Sequence, residues 1–227
     1  MSKQYTTEDL IKIVEVLRGE NGCPWDKVQT HDSIKKDMIE EVYEAIDALD
    51  KGDDKMFANE LGDVLLQVVF HSQIARERGV FDFNTVLNEI CEKLISRHTH
   101  VFGEDKAGDE DEALTNWERN KKKEKKLDTG TDVLNDVPKY LPALMRAAKV
   151  QKKAETFGKV YTDEEIYSEI KSRLDGISVS ENKESEYEKL LFYVVALGRK
   201  LGLTPEISLA NATDRFISEC SGDENFR

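Results

Sequence analysis

The chain has 227 residues, of which 35 % are charged, and its formal charge is −13. That balance excludes a general binder of nucleic-acid polymers, whose phosphate backbone demands a basic footprint, and no apolar run is long enough for a membrane span. Cys23, Cys91 and Cys220 are widely spaced with no C-x-x-C pair, and MSKQYTTEDL has no signal-peptide core, so reduced thiols in a cytoplasmic protein are expected.

Helical periodicity runs through nearly the whole chain and no period-two pattern argues for a strand, so the expected fold class is all-α. Thr7 or Asp9 is expected to cap a first helix that carries Leu10, Ile11, Val14 and Leu17 and ends near Gly19. Residues 21–26, with Gly22 and Pro24, are too rich in breakers for a helix. Ser33 is expected to open a long acidic helix, and Asn59 or an earlier residue the next one. Residues 50–54 form a turn-like cluster around Gly52. A further helix is expected from Phe83 to Arg97, with Val86, Leu87, Ile90, Leu94 and Ile95 as its apolar stripe. An acidic loop over residues 104–112 precedes a helix that contains Leu114 and Trp117 and runs into the lysine-rich residues 121–126.

The chemistry concentrates on the two helices around Gly52. Glu44 and Glu60 each stand eight residues from that glycine, and Glu41 and Asp63 each stand eleven. Residues three apart share a helix face, so an antiparallel pair folded at Gly52 presents two acids from each helix at matching heights. Four converging acids repel one another unless a cation sits among them, and oxygen-only ligands suit Mg²⁺ or Mn²⁺. An acidic helix face is usually just solvated. Here Leu61, Val64, Leu65, Val68 and Val69 surround Glu60 and Asp63 with apolar residues, which favours a metal site built from Glu41, Glu44, Glu60 and Asp63.

Residues 127–132 read as a linker, dividing the chain into domains 1–127 and 128–227. The second half echoes the first: residues 158–162 resemble residues 26–30, and residues 190–195 resemble residues 65–69. Aligned on those runs, Glu60 corresponds to Glu186 but Asp63 to Lys189, and no register restores the three acids at positions 40, 41 and 44. The second half is expected to be a duplicated helical module that kept its packing and lost its site.

GCPWDKVQTHDSI, EEVYEAIDAL, ELGDVLLQVVFHSQIA, RHTHVFG and NWE followed by lysines together resemble the MazG family of nucleoside triphosphate pyrophosphohydrolases, and LPALMRAAKVQKKA resembles the segment that joins the repeats of two-domain members. The resemblance implies a duplicated all-α nucleotide pyrophosphohydrolase bundle that works as a homodimer or higher homo-oligomer. It implies Mg²⁺-dependent hydrolysis of a nucleoside triphosphate to the monophosphate and pyrophosphate. It places the family's metal ligands on Glu41, Glu44, Glu60 and Asp63, with Glu40 as the first acid of the motif. It places the triphosphate-binding cations on Lys93 and Arg97, and residues near the nucleotide on Trp117 and Lys121. Trp25 is a candidate for stacking on the base.

The expected mechanism is attack of a metal-activated water on the α-phosphorus, with Glu40 or another motif acid orienting the water or taking its proton. Lys93 and Arg97 would stabilise the charge on the departing pyrophosphate. Each has a plainer alternative: surface charge for Lys93 and Arg97, a solvated run for residues 121–126, core packing for Trp25 and Trp117, and hydrogen bonding for His98 and His100. Two other functions fit the same residues, namely a non-catalytic helical module for dimerisation or regulation and a diphosphohydrolase selective for one deoxynucleotide.

Overall fold

A computed structural model describes residues 4–222, and among them every regular element is a helix. The chain divides into two compact units, Met1–Trp117 and Glu118–Arg227, a boundary ten residues before the expected junction and inside a continuous helix. None of the described helices is long and apolar enough to cross a membrane.

In the first unit, α1 (Thr7–Arg18) starts one residue earlier than expected from a Thr7 cap. Thr6 is the cap, and Asp9 closes a capping box by accepting from the Thr6 backbone N–H at 3.0 Å. The breaker-rich stretch does contain a helix, α2 (Pro24–Val28). Its proline stands in the first turn, where a missing N–H costs nothing. Arg18 holds this segment: Nη1 donates to the carbonyls of Asp26 and Gln29, while Nε and Nη2 donate to Glu77 at 2.9 and 2.7 Å.

Helix α3 (Lys35–Asp50) begins after Ser33, because the Ser33 hydroxyl is occupied in a turn, accepting from the Thr30 N–H at 2.8 Å. Helix α4 (Asp54–Glu77) starts well ahead of Asn59, since Asp53 caps it by accepting from Met56 N–H at 2.9 Å. Between the two helices Gly52 takes φ +68°, a left-handed conformation open to glycine. Helices α3 and α4 therefore fold back and pack along each other. Helix α5 (Phe83–Arg97) has the expected bounds, with an Asp82–Thr85 capping box at its start. Helices α6 (Thr99–Phe102) and α7 (Glu110–Lys125) follow, the latter absorbing three residues expected in the acidic loop.

Val14, Ile34, Val69, Phe70, Ile74 and Phe83 form the core of this unit. It locks the C-terminal half of α4 against α1 and leaves the N-terminal half, with its acids, to α3. Leu61 and Leu65 are exposed rather than buried beside those acids, and so are Leu87, Ile90, Leu94 and Ile95 of the expected α5 stripe.

The second unit holds α8 (Gly130–Asn135), α9 (Ala143–Glu155), α10 (Asp163–Val179), α11 (Lys183–Lys200) and α12 (Pro205–Gly222). Much of the expected linker is the start of α8, where Thr129 and Asp132 form a capping box. Helices α10 and α11 make a close pair joined by a short turn, as α3 and α4 do in the first unit. Buried Gln151 fastens α9 to α11 by donating to the Phe192 carbonyl at 2.8 Å.

Candidate metal centre

The α3–α4 pair brings Glu41, Glu60 and Asp63 together, with one carboxylate oxygen from each lying within 4.8 Å of the others. Glu60 is buried, and Glu41 and Asp63 are half-buried. Burial, followed by the charges of Asp63, Glu44, Glu60 and Asp37, pushes the Glu41 carboxyl above the ordinary glutamate range. The Asn59 amide donates weakly to two of these acids, at 3.4 Å to Glu60 Oε1 and 3.3 Å to Asp63 Oδ2.

This donor set fits a hard divalent cation. It consists of oxygen alone, it converges, and its charges raise one another's free energy in a way that a cation would reverse. Glu44 is exposed and stands outside the converging trio, although its charge bears on Glu41. Glu40 is also exposed and outside the trio. Asp37 went unnoticed in the sequence, where its signal was available: it precedes Glu41 by one helical turn and so shares its face.

The other expected site residues are distributed unevenly. Arg97 is buried, with its guanidinium carbon 5.1 Å from the centroid of the Trp117 ring. The Trp117 ring also packs against His98 at 4.7 Å between centroids, and His98 Nδ1 lies 2.7 Å from the Leu94 carbonyl oxygen. Arg97 and Trp117 are thus brought together by α5 and α7. Lys93 instead faces Glu89 at 3.5 Å. Trp25 is exposed on α2, its carbonyl accepting from Gln29 Nε2 at 2.9 Å. Lys121 belongs to the second unit, where its ammonium stands 3.7 Å from Asp136.

The α10–α11 pair solves the same electrostatic problem without a metal. Arg173 donates to Glu169 Oε2 through Nη2 at 2.6 Å and Nε at 3.1 Å, and to Glu186 Oε2 through Nη1 at 2.9 Å. Lys189 adds a contact to Glu186 Oε1 at 3.3 Å. The Arg173 hydrogen bond is the main cause that holds the Glu186 carboxyl below its ordinary range, opposite to the shift at Glu41.

Residues 29–102 match the MazG nucleotide pyrophosphohydrolase domain. The chain is 41 % identical over 214 residues to the nucleoside triphosphate pyrophosphohydrolase/pyrophosphatase MazG of Thermotoga maritima, covering 92 % of this chain and 82 % of that protein. It is 40 % identical over 217 residues to the nucleoside triphosphate pyrophosphohydrolase of Escherichia coli K12, covering 91 % of this chain and 82 % of that protein. It is also 51 % identical over 140 residues to the uncharacterized protein YabN of Bacillus subtilis, covering 62 % of this chain and 28 % of that protein.

Proposed function

The chain belongs to the MazG family, and from that premise we propose that it hydrolyses nucleoside triphosphates to the monophosphate and pyrophosphate with the help of Mg²⁺ or Mn²⁺. The observation that carries this reading is the convergence of Glu41, Glu60 and Asp63 within 4.8 Å. An assembly of buried and half-buried acids has no structural reward of its own and makes sense as the seat of a cation that a polyphosphate shares.

Glu41, Glu60 and Asp63 hold the cation, with Glu44 closing the set from the next turn of α3. Bound there, the ion lowers the pKa of water and offsets the charge of the phosphates. Glu40, exposed one residue before Glu41, orients the attacking water and takes its proton as it adds to the α-phosphorus. Lys93 and Arg97, one turn apart on α5, stabilise the charge that builds on the departing pyrophosphate. Trp117, steadied by His98, and the exposed ring of Trp25 are surfaces for the nucleoside. Lys121, whose ammonium faces Asp136, has no part in this reading.

The working form is a homo-oligomer. The exposed apolar side chains Leu87, Ile90, Leu94 and Ile95 on α5, with Ile39 and Ile46 on α3, suit the face of a second copy. Light scattering of the purified chain tests this part, and a monomer at micromolar concentration refutes it. The reading places the protein with its substrates, in the cytoplasm.

Product identity tests the reaction. The protein is incubated with a mixture of nucleoside triphosphates and Mg²⁺, beside the Asp63→Asn variant. Monophosphate and pyrophosphate from the natural chain alone are expected. Diphosphate and phosphate would move the attack to another phosphorus and end the reading. No turnover of any nucleotide by a folded, metal-loaded protein would leave a non-catalytic helical module.

A further inference from the structure

Gln67 lies on α4 one turn beyond Asp63 and two beyond Glu60. At about 100° per residue, its direction from the helix axis falls between those of the two acids, about 20° from Glu60 and about 40° from Asp63. It stands about 6 Å further along the axis than Asp63. Its side chain is buried, with 9 % relative exposure, and its carbonyl oxygen Oε1 has no hydrogen-bond partner among the described residues. A buried acceptor without a donor costs free energy that a methionine or leucine at the same place would not incur. Val64, Leu66, Val68 and Val69 show that this stretch of α4 is otherwise apolar.

The register of the hairpin places a partner opposite. Asp37 is fifteen residues before Gly52 and Gln67 is fifteen after it, so the symmetry that matches Glu41 with Asp63 matches Asp37 with Gln67 one turn higher. The charge of Asp37 is felt at Glu41, which puts it on the acidic face. The turn above the acids thus carries a carboxylate and a carboxamide oxygen, both of them acceptors, and the largely exposed Lys36 ammonium stands 3.8 Å from Asp37 Oδ1. A small donor-rich group is the ligand that suits such a layer. A hard cation keeps several of its waters when protein carboxylates bind it, and outer groups that accept from those waters fix the ion's orientation and affinity.

We propose that Gln67 is a positioning residue of the metal centre: its Oε1 accepts a hydrogen bond from a water carried by the cation at Glu41, Glu60 and Asp63, with Asp37 completing the layer. This rests on the reading of those three acids as a cation site.

The test is Mn²⁺ binding to the full chain without nucleotide, followed by electron paramagnetic resonance, together with the unfolding temperature in chelator. Gln67→Met, which removes the acceptor and keeps the bulk, is expected to weaken Mn²⁺ binding about tenfold or more, with an unfolding temperature in chelator equal to or above that of the natural chain. Gln67→Glu, which places a charged acceptor there, is expected to tighten it severalfold. If Gln67→Met binds Mn²⁺ as the natural chain does, or loses stability in chelator with unchanged affinity, the residue is structural and the inference falls. Should Gln67→Met fail to fold, unchanged affinity in Gln67→Glu overturns it equally. Failure of the underlying reading looks different: the natural chain then binds no Mn²⁺, or Asp63→Asn binds it undiminished.

Discussion

Asp63→Asn should change the stability of this protein in opposite directions with and without a divalent cation. The substitution keeps the size of the side chain and removes one of three charges. At the 4.8 Å limit of this cluster, two unit charges repel by about 3.5 kcal/mol at an effective dielectric constant near 20. Asp63 and Glu41 are half-exposed, and solvent screening reduces the relief from losing one charge to about 1–3 kcal/mol. In chelator, Asp63→Asn is therefore expected to unfold at a temperature higher by about 2 to 12 °C, at 2–4 °C per kcal/mol for a chain of this length. In Mn²⁺ at a thousandfold excess over its Kd, the natural chain gains about 4.1 kcal/mol. The variant, lacking a ligand, gains little, so the order of the two proteins inverts. Differential scanning fluorimetry in chelator and over a Mn²⁺ series measures both halves of this crossing. An Asp63→Asn protein that is less stable than the natural chain in chelator, or that gains as much from Mn²⁺, would refute the electrostatic account of the site.

Three further outcomes follow from the geometry. Arg18→Met strips donors from the carbonyls of Asp26 and Gln29 and from Glu77. It should cost about 2 kcal/mol at neutral pH by urea denaturation, little of it from the Glu77 pair, whose carboxylate is 38 % exposed. Arg18 holds the Glu77 carboxyl below its ordinary range, so that share of the loss is full above the ordinary glutamate value and disappears as pH falls through the folded one; a loss that grows in acid contradicts the assignment. His31 and His71 place their Nδ1 atoms 2.8 Å apart, which requires one N–H and one lone pair, and burial followed by the neighbouring His31 lowers the His71 pKa. The stability that this provides is complete above the ordinary value of 6.5 and drains away as pH falls through the lower folded one. Unfolding temperatures between pH 7.5 and 5.5 should thus fall less steeply in His71→Gln than in the natural chain, and parallel slopes would exclude the pair as the cause. Arg173→Met should lower the unfolding temperature of the second unit most at neutral pH and least in acid, because Arg173 holds Glu186 ionised below its ordinary range. A loss independent of pH would mean that Arg173 acts through packing alone.

The acids of α3 and α4 were legible because helical spacing around a turn glycine encodes both direction and height. The bounds of α5 were legible for a related reason: Asp82 and Thr85 signal its start, and the apolar spacing after them is unbroken. Helix starts were misread where a residue had two local uses. Ser33 serves a turn, Asp9 completes a box instead of opening one, and Pro24 begins a helix instead of preventing it. Spacing also carries no information on the reach of a side chain, and Glu44 matches Glu60 in register yet stays outside the converging set. The surroundings of Arg97 were hidden altogether, since its aromatic partner Trp117 arrives from a helix that local periodicity cannot place. Gln67 escaped because it is neither charged nor apolar, and only the absence of a donor around its buried oxygen marks it.

The guanidinium of Arg173 also limits what single substitutions can make of the second unit. A metal ligand set can decay one residue at a time while the ion is still present, because each loss merely weakens its hold. Once an arginine has taken the ion's place, the return path is blocked at its first step. Removing Arg173 leaves Glu169 without its cation and Glu186 with Lys189 alone. Placing an acid at position 189 adds a third negative charge beside a guanidinium already committed to two. Each change is unfavourable until the other has been made, so the effects of the two are not additive. The pair therefore works as a ratchet: drift can carry a helix hairpin from an exchangeable cation to a tethered one, and selection acting on single substitutions does not carry it back.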